Sequence, residues 1–394
     1  MQLSNRISQI QPSATLKVSG KAKQMIANGI DVINLGIGEP DFQTPDNIKR
    51  AAIAAIQNGK ASFYTPAAGL PRLREAIANV TATDYGISVD QTNVAVTTGA
   101  KMALYGTFQA ILNPGDGVLL PEPYWVSYAE QIKLAGGVPM GIPVTDGFKV
   151  TPELLEQALT AQVKVLLLNS PENPTGVIYE PAELQAIADW AEQHQIWVIT
   201  DDIYGKLTYN GAKFTSIAAL KDQLPTNMII INGVSKTYSM TGWRIGYVVA
   251  NSELIKALSA FLSHATGNPA AASQYAALEA LTGLQDDAEM MRHAFEQRLN
   301  TLYPLLNAIP GFSLSTKPQG AFYLFPDVVD AQALTGIATT GEFVDQLLTE
   351  AHVAVVDGNA FGVDHHVRLS YATDLETLKN AVSRITEFMK THTK

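Results

Sequence analysis

Between residues 93 and 250, short runs of β-branched and aliphatic residues alternate with longer segments that have an apolar face. The short runs predict seven strands, at 94–97, 118–120, 138–144, 163–168, 197–200, 228–231 and 247–250. The longer segments predict helices over 100–112, 124–134, 152–159 and 182–194. Alternation of this kind is typical of crossover connections. It predicts a mostly parallel, buried sheet with helices on both faces.

The pattern is different on either side of this region. Helices are predicted at 17–28, 44–58, 71–81, 252–280 and 286–309. Strand-like runs at 312–314, 321–325, 353–356 and 367–371 then alternate with helices at 342–350 and 374–391. The predicted fold class is α/β, with a large domain around the seven-stranded sheet and a smaller α/β domain formed by the N-terminal arm and the C-terminal part. The expected boundaries are 1–45, 46–290 and 291–394.

Composition fits two globular domains and excludes several classes of protein. The chain has 394 residues, of which 46% are hydrophobic and 16% charged. A formal net charge of -10 argues against a nucleic-acid-binding protein. The chain has no cysteine, which excludes disulfides, thiolate catalysis and cysteine metal sites. Residues 1–13 lack a signal-peptide core and no apolar run approaches the ~18 residues that span a bilayer, so we expect a cytoplasmic enzyme without membrane, nucleic-acid or metal partners.

One lysine stands in unusual surroundings. Lys236 follows the apolar run 228–231 among Gly, Ser and Thr residues, and Arg244 lies eight residues further on. An amine near another cation and partly out of water has a lowered pKa, and its neutral form can condense with a carbonyl. Lys236 is therefore a candidate Schiff-base lysine, and Arg244 a candidate anchor for an anion such as a phosphate. The alternative for any single lysine is a solvated surface charge.

The turn at 97–101 is a second candidate site for an anion. It closes a predicted strand and opens a predicted helix at Gly99, Ala100 and Lys101. Free backbone N–H groups and the positive helix end favour a phosphate there. The spacing matches neither a P-loop nor a dinucleotide fingerprint, and a plain helix start is the alternative.

Other polar and aromatic residues follow predicted strands at the sheet edge where ligands bind. Asp201 and Tyr204 come after the strand 197–200, and a carboxylate and a phenol there could hold a ring nitrogen and a phenolate oxygen. Asn173 follows the strand 163–168, and Trp125 offers an aromatic face for stacking. The alternatives are an Asx turn at Asp201 with a packed Tyr204, a plain turn at Asn173 and ordinary core packing of Trp125.

Taken together, these segments resemble a known family. Ser-Lys-x-x-x-x-x-Gly-x-Arg at 235–244, Asp-x-x-Tyr at 201–204 and Asn-Pro-Thr-Gly at 173–176 look like the motifs of class I (fold-type I) pyridoxal-phosphate-dependent aminotransferases. The segments 12–15, 38–42 and 123–125 and the late Arg368 match as well. The resemblance covers essentially the whole chain and is closest to the bacterial aspartate aminotransferase subgroup.

The resemblance implies a role for each residue. Lys236 would carry pyridoxal 5′-phosphate as a Schiff base and act as the catalytic base. The other cofactor-binding residues would be Asp201 at the ring nitrogen, Asn173 and Tyr204 at the phenolate oxygen, Trp125 on the ring, Gly99, Ala100, Lys101, Ser235 and Arg244 around the phosphate, and Tyr64 from the neighbouring subunit of a homodimer with shared active sites. At the substrate, Arg368 would bind the α-carboxylate with the help of Gly38 and Asn173. Lys101, Ser13 and Thr15 would lie towards a distal carboxylate, and Trp125 would also contact the substrate.

Two positions depart from the family pattern. Many members carry a hydroxyl three residues before the lysine, where this chain has Gly233. A loop that often reads Pro-Gly-x-x-Phe-Gly begins with Asp357 here. The first departure leaves Ser235 as the expected phosphate contact of this segment, and the second concerns the rigidity of a loop near the substrate rather than the reaction.

The reaction implied by the resemblance is a ping-pong transamination. It would move the amino group between an L-amino acid, with aspartate or glutamate preferred, and a 2-oxo acid. Closely similar motifs serve aromatic and prephenate aminotransferases, and a carbon–sulfur lyase would keep every cofactor residue. A regulator built on such a domain would carry a DNA-binding segment, for which this chain has neither room nor basic charge.

Overall fold

The computed structural model describes residues 3–144 and 147–393. Its strands are β1 (Ile33–Asn34), β2 (Val94–Thr98), β3 (Gly117–Glu122), β4 (Val138–Pro143), β5 (Val163–Asn169), β6 (Trp197–Asp201), β7 (Met228–Gly233), β8 (Ile245–Val249), β9 (Tyr323–Leu324), β10 (Val353–Ala354), β11 (Val356–Asp357) and β12 (Val367–Ser370). Its α-helices are α1 (Asn5–Ser8), α2 (Ala14–Ala27), α3 (Asp46–Gln57), α4 (Pro71–Tyr85), α5 (Ala100–Ile111), α6 (Ser127–Leu134), α7 (Pro152–Ala158), α8 (Pro181–Gln193), α9 (Ser252–Ala265), α10 (Ala271–Thr282), α11 (Asp286–Asn307), α12 (Val329–Thr335), α13 (Thr340–Thr349) and α14 (Leu375–His392).

Seven strands form one sheet in the order β2-β8-β7-β6-β5-β3-β4. β8 runs antiparallel to both of its neighbours, and the other adjacent pairs are parallel. The mostly parallel seven-stranded sheet predicted from the sequence is therefore confirmed. Parallel strands bring their carboxyl ends to one edge, where Asn169 at the end of β5 lies opposite Asp201 at the end of β6.

Both faces of this sheet are buried, because successive side chains of a strand point to opposite faces. Leu166 of β5 packs in a core shared with α3, α4, α7, α8 and α10. Its neighbour Val165 packs in a core shared with α5, α6 and α9. Neither side chain is exposed. The near-continuous apolar runs of the central strands follow from this double cover.

A smaller unit is built from the C-terminal part and a piece of the N-terminal segment. β11, β12 and β9 form an antiparallel sheet, and β1 pairs in parallel with β10. Phe295 of α11, Phe343 of α13 and Phe388 of α14 share its core, and Tyr204, which follows β6, packs into the same core. The expected α/β class with a large and a smaller unit is confirmed, while the boundaries at 45/46 and 290/291 stay predictions.

Some predicted elements differ from the observed ones. The helix expected over 124–134 begins only at Ser127, and the preceding Tyr124 donates its backbone N–H to the carbonyl of Phe361. The segment 252–280 is two helices, separated where Gly267 adopts a φ of 69° and Pro269 follows.

Chain pairing explains the remaining differences. The run 353–356 is divided between β10 and β11, which pair with different strands. The run 312–314 forms no strand, and only Ser313 makes an isolated bridge, to Asp327. α1, α12 and β1 were not expected. Within residues 3–144 and 147–393, no helix is long and apolar enough to cross a bilayer, and no group of three potential metal ligands is present.

Candidate active site

Lys236 lies just beyond the carboxyl end of β7. Its side chain is partly buried, and its Nζ donates to the carbonyl of Gly38 at 2.6 Å. Burial lowers the pKa of Lys236 to about 8, and the neighbouring Arg368 and Arg244 act in the same direction, against the opposing effect of Glu39. A larger share of this amine is therefore neutral near pH 7 than for an ordinary lysine.

A cavity of about 520 Å³ opens in front of this lysine, at the carboxyl edge of the sheet. Its charged lining residues are Lys23, Lys101, Lys236, Arg244 and Arg368, with Glu39 and Asp201 as the carboxylates. Cations outnumber acids here although the formal charge of the chain is -10. The cavity therefore suits a ligand that carries several negative charges.

Asp201 ends β6 and turns its carboxylate into this cavity. Its Oδ2 accepts a hydrogen bond from the hydroxyl of Tyr128 at 2.8 Å, and its Oδ1 accepts one from the backbone N–H of Ile203 at 3.3 Å. Burial raises the pKa of Asp201 to about 6, against the opposing effect of these hydrogen bonds and of Lys236. The carboxylate is ionised above that pH and can hold a cationic nitrogen.

The turn between β2 and α5 forms a cradle for an anion. Gly99 has a φ of 79° and precedes the first helical residue, Ala100. A Cβ on Gly99 would collide with the guanidinium of Arg244, and one on Gly246 would collide with the backbone of Gly99 and Ala100. Backbone N–H groups at a helix start, the nearby Ser235 and this guanidinium are the donors that a phosphate requires.

Arg368, on β12, is a buried cation whose hydrogen bonds go to neutral groups. It is 2% exposed, and its guanidinium donates to the Oδ1 of Asn173 at 3.0 Å and to the carbonyl of Gly36 at 2.9 Å. The rings of Tyr323 and Phe361 lie 4.6 and 4.9 Å from it. Among the residues that the structure describes, its Nε has no acceptor and no acid lies within ion-pair distance. A buried charge left in this state favours the binding of an anion.

Aromatic residues line the remaining walls. The hydroxyls of Tyr204 and Tyr323 are hydrogen-bonded at 2.8 Å, and a Cβ on Gly38 would come within 2.5 Å of the Tyr323 oxygen. Trp125 packs edge to face with Tyr128, and the Nζ of Lys101 lies 4.9 Å from the Trp125 ring centroid. Trp125 thus contacts the buried Tyr128 on one side and the exposed Lys101 on the other.

The structure brings most of the predicted site residues to this cavity. The predicted residues that line it are Thr15, Gly38, Ala100, Lys101, Trp125, Asn173, Asp201, Tyr204, Ser235, Lys236, Arg244 and Arg368. Gly99 lies directly under Arg244. Ser13 is not in the lining, but its hydroxyl is 2.8 Å from that of Thr15. Tyr64 is 99% exposed and does not reach the cavity of its own chain.

A model of the family described as "Aminotransferase class I and II" matches residues 30–385. The chain belongs to this aminotransferase family. The asparagine–oxo-acid transaminase of Streptococcus mutans is 51% identical over 390 residues, which cover 98% of this chain and 99% of the relative. The aspartate aminotransferase of Geobacillus stearothermophilus is 51% identical over 392 residues and covers 99% of each chain. The crystal structure of the aspartate aminotransferase from Rhizobium meliloti has a TM-score of 0.95 and 38% identity, with 100% of both chains covered.

Sequence reasoning missed several lining residues of this aminotransferase. Tyr128, Tyr323, Asn169 and Glu39 line the cavity, and none was expected to take part in the site. Asn169 directly follows a predicted strand, so the rule that selected Asp201 could have found it. Tyr128 and Tyr323 lie inside a predicted helix and a predicted strand, where a tyrosine is indistinguishable from core packing.

Proposed function

We propose that this aminotransferase moves the amino group between an L-amino acid and a 2-oxo acid with pyridoxal 5′-phosphate as cofactor, and that aspartate and glutamate are its preferred donors. In the proposed ping-pong order, the donor leaves as its 2-oxo acid before the acceptor binds. The observation that carries the proposal is the presence, in one cavity, of a lysine with a lowered pKa and of a buried arginine that lacks an anion.

The donor groups of the cavity fit pyridoxal 5′-phosphate. Lys236 is the amine that would hold its aldehyde carbon, and Asp201 the carboxylate for its ring nitrogen. The expected phosphate ligands are Gly99, Ala100, Ser235 and Arg244, with Asn173 and Tyr204 at the phenolate oxygen and Trp125 on the ring. When bound, the cofactor supplies an electron sink for the electrons of the Cα–H bond.

The chain itself would position the substrate and move the proton. Arg368 would bind the α-carboxylate through two parallel N–H groups. Asn173, which is hydrogen-bonded to Arg368, and Gly38, which lines the same cavity, would assist it. This contact fixes the substrate Cα relative to Lys236. The neutral Nζ of Lys236 would then accept the proton from Cα, a step that a pKa of about 8 makes accessible near neutral pH.

The distal end of the substrate would lie near Lys101. This lysine lines the cavity and is exposed at its rim, and burial of part of the side chain and Arg244 lower its pKa. A cation there favours a second carboxylate, with Thr15 and Ser13 as further polar contacts. Dicarboxylic substrates are therefore preferred in this proposal to aromatic or prephenate-type substrates.

A second candidate donor is asparagine. It is favoured by the 51% identity to an enzyme named asparagine–oxo-acid transaminase. An amide needs no cation, so Lys101→Gln distinguishes the two donors. If aspartate is preferred, we expect this variant to lose kcat/KM for aspartate by about tenfold and to change little for asparagine. A higher kcat/KM for asparagine than for aspartate in the wild type would favour the second donor, and equal losses in the variant would refute the role of Lys101 at the distal carboxylate.

We further propose a homodimer with shared active sites. Tyr64 and its neighbour Phe63 are 99% and 77% exposed, and Ile53 and Ile56 on α3 are also exposed. Large exposed apolar side chains on neighbouring elements are typical of an interface. Tyr64 would reach the cofactor phosphate of the partner subunit. The cytoplasmic location stays a prediction.

The experiment is a panel of amino donors and 2-oxo acid acceptors with the purified protein and its Lys236→Ala variant. We expect aspartate and 2-oxoglutarate to be converted only when both are present, and the variant to lose the visible absorbance of the bound cofactor together with turnover. Consumption of an amino acid without an acceptor would identify a lyase instead. Fastest turnover with aromatic donors or prephenate would replace the substrate assignment.

A further inference from the structure

Tyr128 is a buried tyrosine in direct contact with the Asp201 carboxylate. It belongs to the first turn of α6, is 1% exposed, and directs its hydroxyl into the same cavity. We propose that Tyr128 is a positioning residue that keeps the Asp201 carboxylate ionised and fixed, and thereby sets the lower pH limit at which the protein holds its cofactor. The inference rests on the proposed function, since it concerns the group expected to bind the ring nitrogen.

The geometry leaves one donor for each side of this carboxylate. The Oδ2 of Asp201 accepts from the Tyr128 hydroxyl at 2.8 Å, and the Oδ1 accepts from the backbone N–H of Ile203 at 3.3 Å. Asn169 donates to the backbone carbonyl of Asp201, not to its carboxylate. In the described part of the chain, Tyr128 is thus the only side chain that donates a hydrogen bond to the carboxylate of Asp201, and this bond fixes the orientation of the carboxylate.

The hydrogen bond from Tyr128 has a large effect on the protonation state of Asp201. Burial alone would keep Asp201 protonated to higher pH, and the hydrogen bond from Tyr128 is the strongest influence against it. A hydrogen bond to an ionised oxygen is stronger than one to a neutral carboxyl, so it favours the charged form. The balance leaves the pKa of Asp201 at about 6, so the carboxylate is mostly ionised at pH 7.

The other charged or titratable groups around this pair do not replace Tyr128. They are Lys236 from the loop after β7, Asp202 and Tyr204 after β6, and Glu172 after β5. Lys236 favours the ionised form of Asp201 but makes no hydrogen bond to it, and its amine would be engaged by the cofactor. Burial raises the pKa of both Asp202 and Glu172, so near neutral pH they add less negative charge than ordinary acids.

The packing of Tyr128 is separable from its hydroxyl. Its ring lies edge to face against Trp125, with centroids 5.4 Å apart and planes at 81°. A phenylalanine keeps this contact and the volume of the side chain. Tyr128→Phe therefore removes the hydrogen bond alone, and a role in packing predicts little change in this variant.

The test is the dissociation constant of pyridoxal 5′-phosphate for the full-length apoprotein, measured by fluorescence quenching at pH 6 and pH 8.5. Loss of one charge-assisted hydrogen bond moves the pKa of Asp201 upwards by about one unit. We expect Tyr128→Phe to bind the cofactor about fivefold more weakly than the wild type at pH 6, and equally well at pH 8.5, where Asp201 is ionised in both proteins. The acid limb of kcat/KM for aspartate should move to higher pH by a similar amount.

Tyr179→Phe is the matched control. Tyr179 is 2% exposed, and its hydroxyl accepts from the backbone N–H of Val150 at 3.0 Å, so this variant loses a buried hydroxyl without touching Asp201. Its binding constants should follow those of the wild type at both pH values. In a protein that already carries Asp201→Asn, Tyr128→Phe should cause no further pH-dependent loss of affinity for pyridoxal 5′-phosphate, because the asparagine does not ionise.

The outcomes separate the inference from the proposed function. If the wild type binds no pyridoxal 5′-phosphate, the proposed function is wrong and the inference falls with it. If the wild type binds it and Tyr128→Phe loses affinity equally at pH 6 and 8.5, or not at all, only the inference is overturned. Tyr128→Met, which also lacks a hydroxyl, provides the same comparison if circular dichroism shows that Tyr128→Phe does not fold.

Discussion

At the scale of single residues, burial gives ordinary side chains unusual chemistry. Lys236 has a pKa of about 8 and Asp201 one of about 6, and in both cases burial is the largest cause. Arg368 keeps its charge, and within the described residues its hydrogen bonds go to the side-chain amide of Asn173 and the carbonyl of Gly36. Near pH 7 a larger share of the Lys236 amine is thus neutral than for an ordinary lysine. The buried guanidinium of Arg368 can receive a substrate carboxylate.

The first residue-scale prediction concerns Arg368→Gln. We expect kcat/KM for aspartate to fall by roughly 100- to 1000-fold, because the α-carboxylate loses a desolvated, two-point ionic contact. Steady-state kinetics with several aspartate concentrations measures this change. Arg384→Gln, which removes an ion pair with Asp31 on the surface, should keep wild-type kinetics. An unchanged kcat/KM in Arg368→Gln would refute the assignment of the carboxylate site.

The second residue-scale prediction concerns stability and pH. Asp202 is fully buried, its Oδ1 accepts from Thr200 at 2.5 Å, and burial raises its pKa to about 7. Its pKa is thus higher in the folded than in the unfolded chain, so the folded state binds more protons, and the free energy of unfolding falls as pH rises between the two values. Between pH 5 and 8 the contribution of Asp202 to the free energy of unfolding falls by about 3 kcal/mol.

We therefore expect Asp202→Asn to remove most of this decline, because an amide does not ionise. Urea denaturation at pH 5, 6.5 and 8 gives the free energies of unfolding, and the two proteins should differ most at pH 8. Asp189→Asn, at an exposed position of α8, serves as the control. Parallel pH profiles of wild type and Asp202→Asn would contradict the prediction.

At the scale of elements, strand ends and helix starts position the polar groups. β5, β6 and β7 are parallel neighbours, so the segments after them bring Asn173, Asp201 and Lys236 to one edge. The turn from β2 into α5 adds the Gly99 cradle, and β12 of the smaller unit adds Arg368. The cavity is therefore assembled from both units of the fold.

α2 also contributes a face to the cavity. Thr15, Ser19 and Lys23 recur every four residues along this helix, and all three line the cavity. Val18 and Ala22, on another face, pack in a small core with β10. One side of α2 thus anchors the helix and another presents a hydroxyl pair and a cation to the ligand.

We predict that Lys23→Gln raises KM for aspartate by about two- to fivefold and leaves kcat unchanged, since an exposed cation at the rim contributes modest, screened attraction. Measurements at low and high salt should show the difference shrinking as ionic strength rises. Lys17→Gln lies on the same helix but outside the cavity lining, so it should leave KM unchanged. Equal effects of the two variants would mean that only net charge matters.

At the scale of the whole molecule, the exposure of Tyr64 bears on the proposed homodimer with shared active sites. Its side chain is 99% exposed, although the family resemblance places it at a cofactor phosphate. The described chain already forms the cavity walls, including Lys236. A contribution of Tyr64 between subunits is consistent with both observations.

This arrangement predicts complementation between two defective chains. If Tyr64 acts across the interface, a mixed dimer of Tyr64→Ala and Lys236→Ala chains contains one active site with both native residues. Random reassociation should therefore restore native activity in about a quarter of all sites, above the sum of the separate variants. Activity assays before and after denaturation and refolding of the mixture measure this, and no gain on mixing would place Tyr64 in its own subunit's site or outside catalysis.

The order of the residues is sufficient to predict the sheet and the segments that carry the chemistry. Its apolar runs are long enough to specify doubly covered strands, and residues that follow a parallel strand are placed at a known edge by chain geometry. For that reason the sequence predicts that Lys236, Asp201 and Asn173 lie near one another, and all three line the cavity. The predicted strand 353–356 was wrong as a single element, because β10 pairs with the distant β1 while β11 pairs with the nearby β12.

The contacts between side chains of different elements follow from the folded chain. Tyr128 on α6 and Asp201 on β6 are 73 positions apart, and Arg368 and Asn173 are 195 apart. Hydrophobic periodicity marks a tyrosine inside a helix as buried but carries no information about the partner of its hydroxyl. The pKa of a carboxylate and the absence of an anion beside a buried arginine depend on such contacts, so they follow from the folded chain and not from the order of its residues.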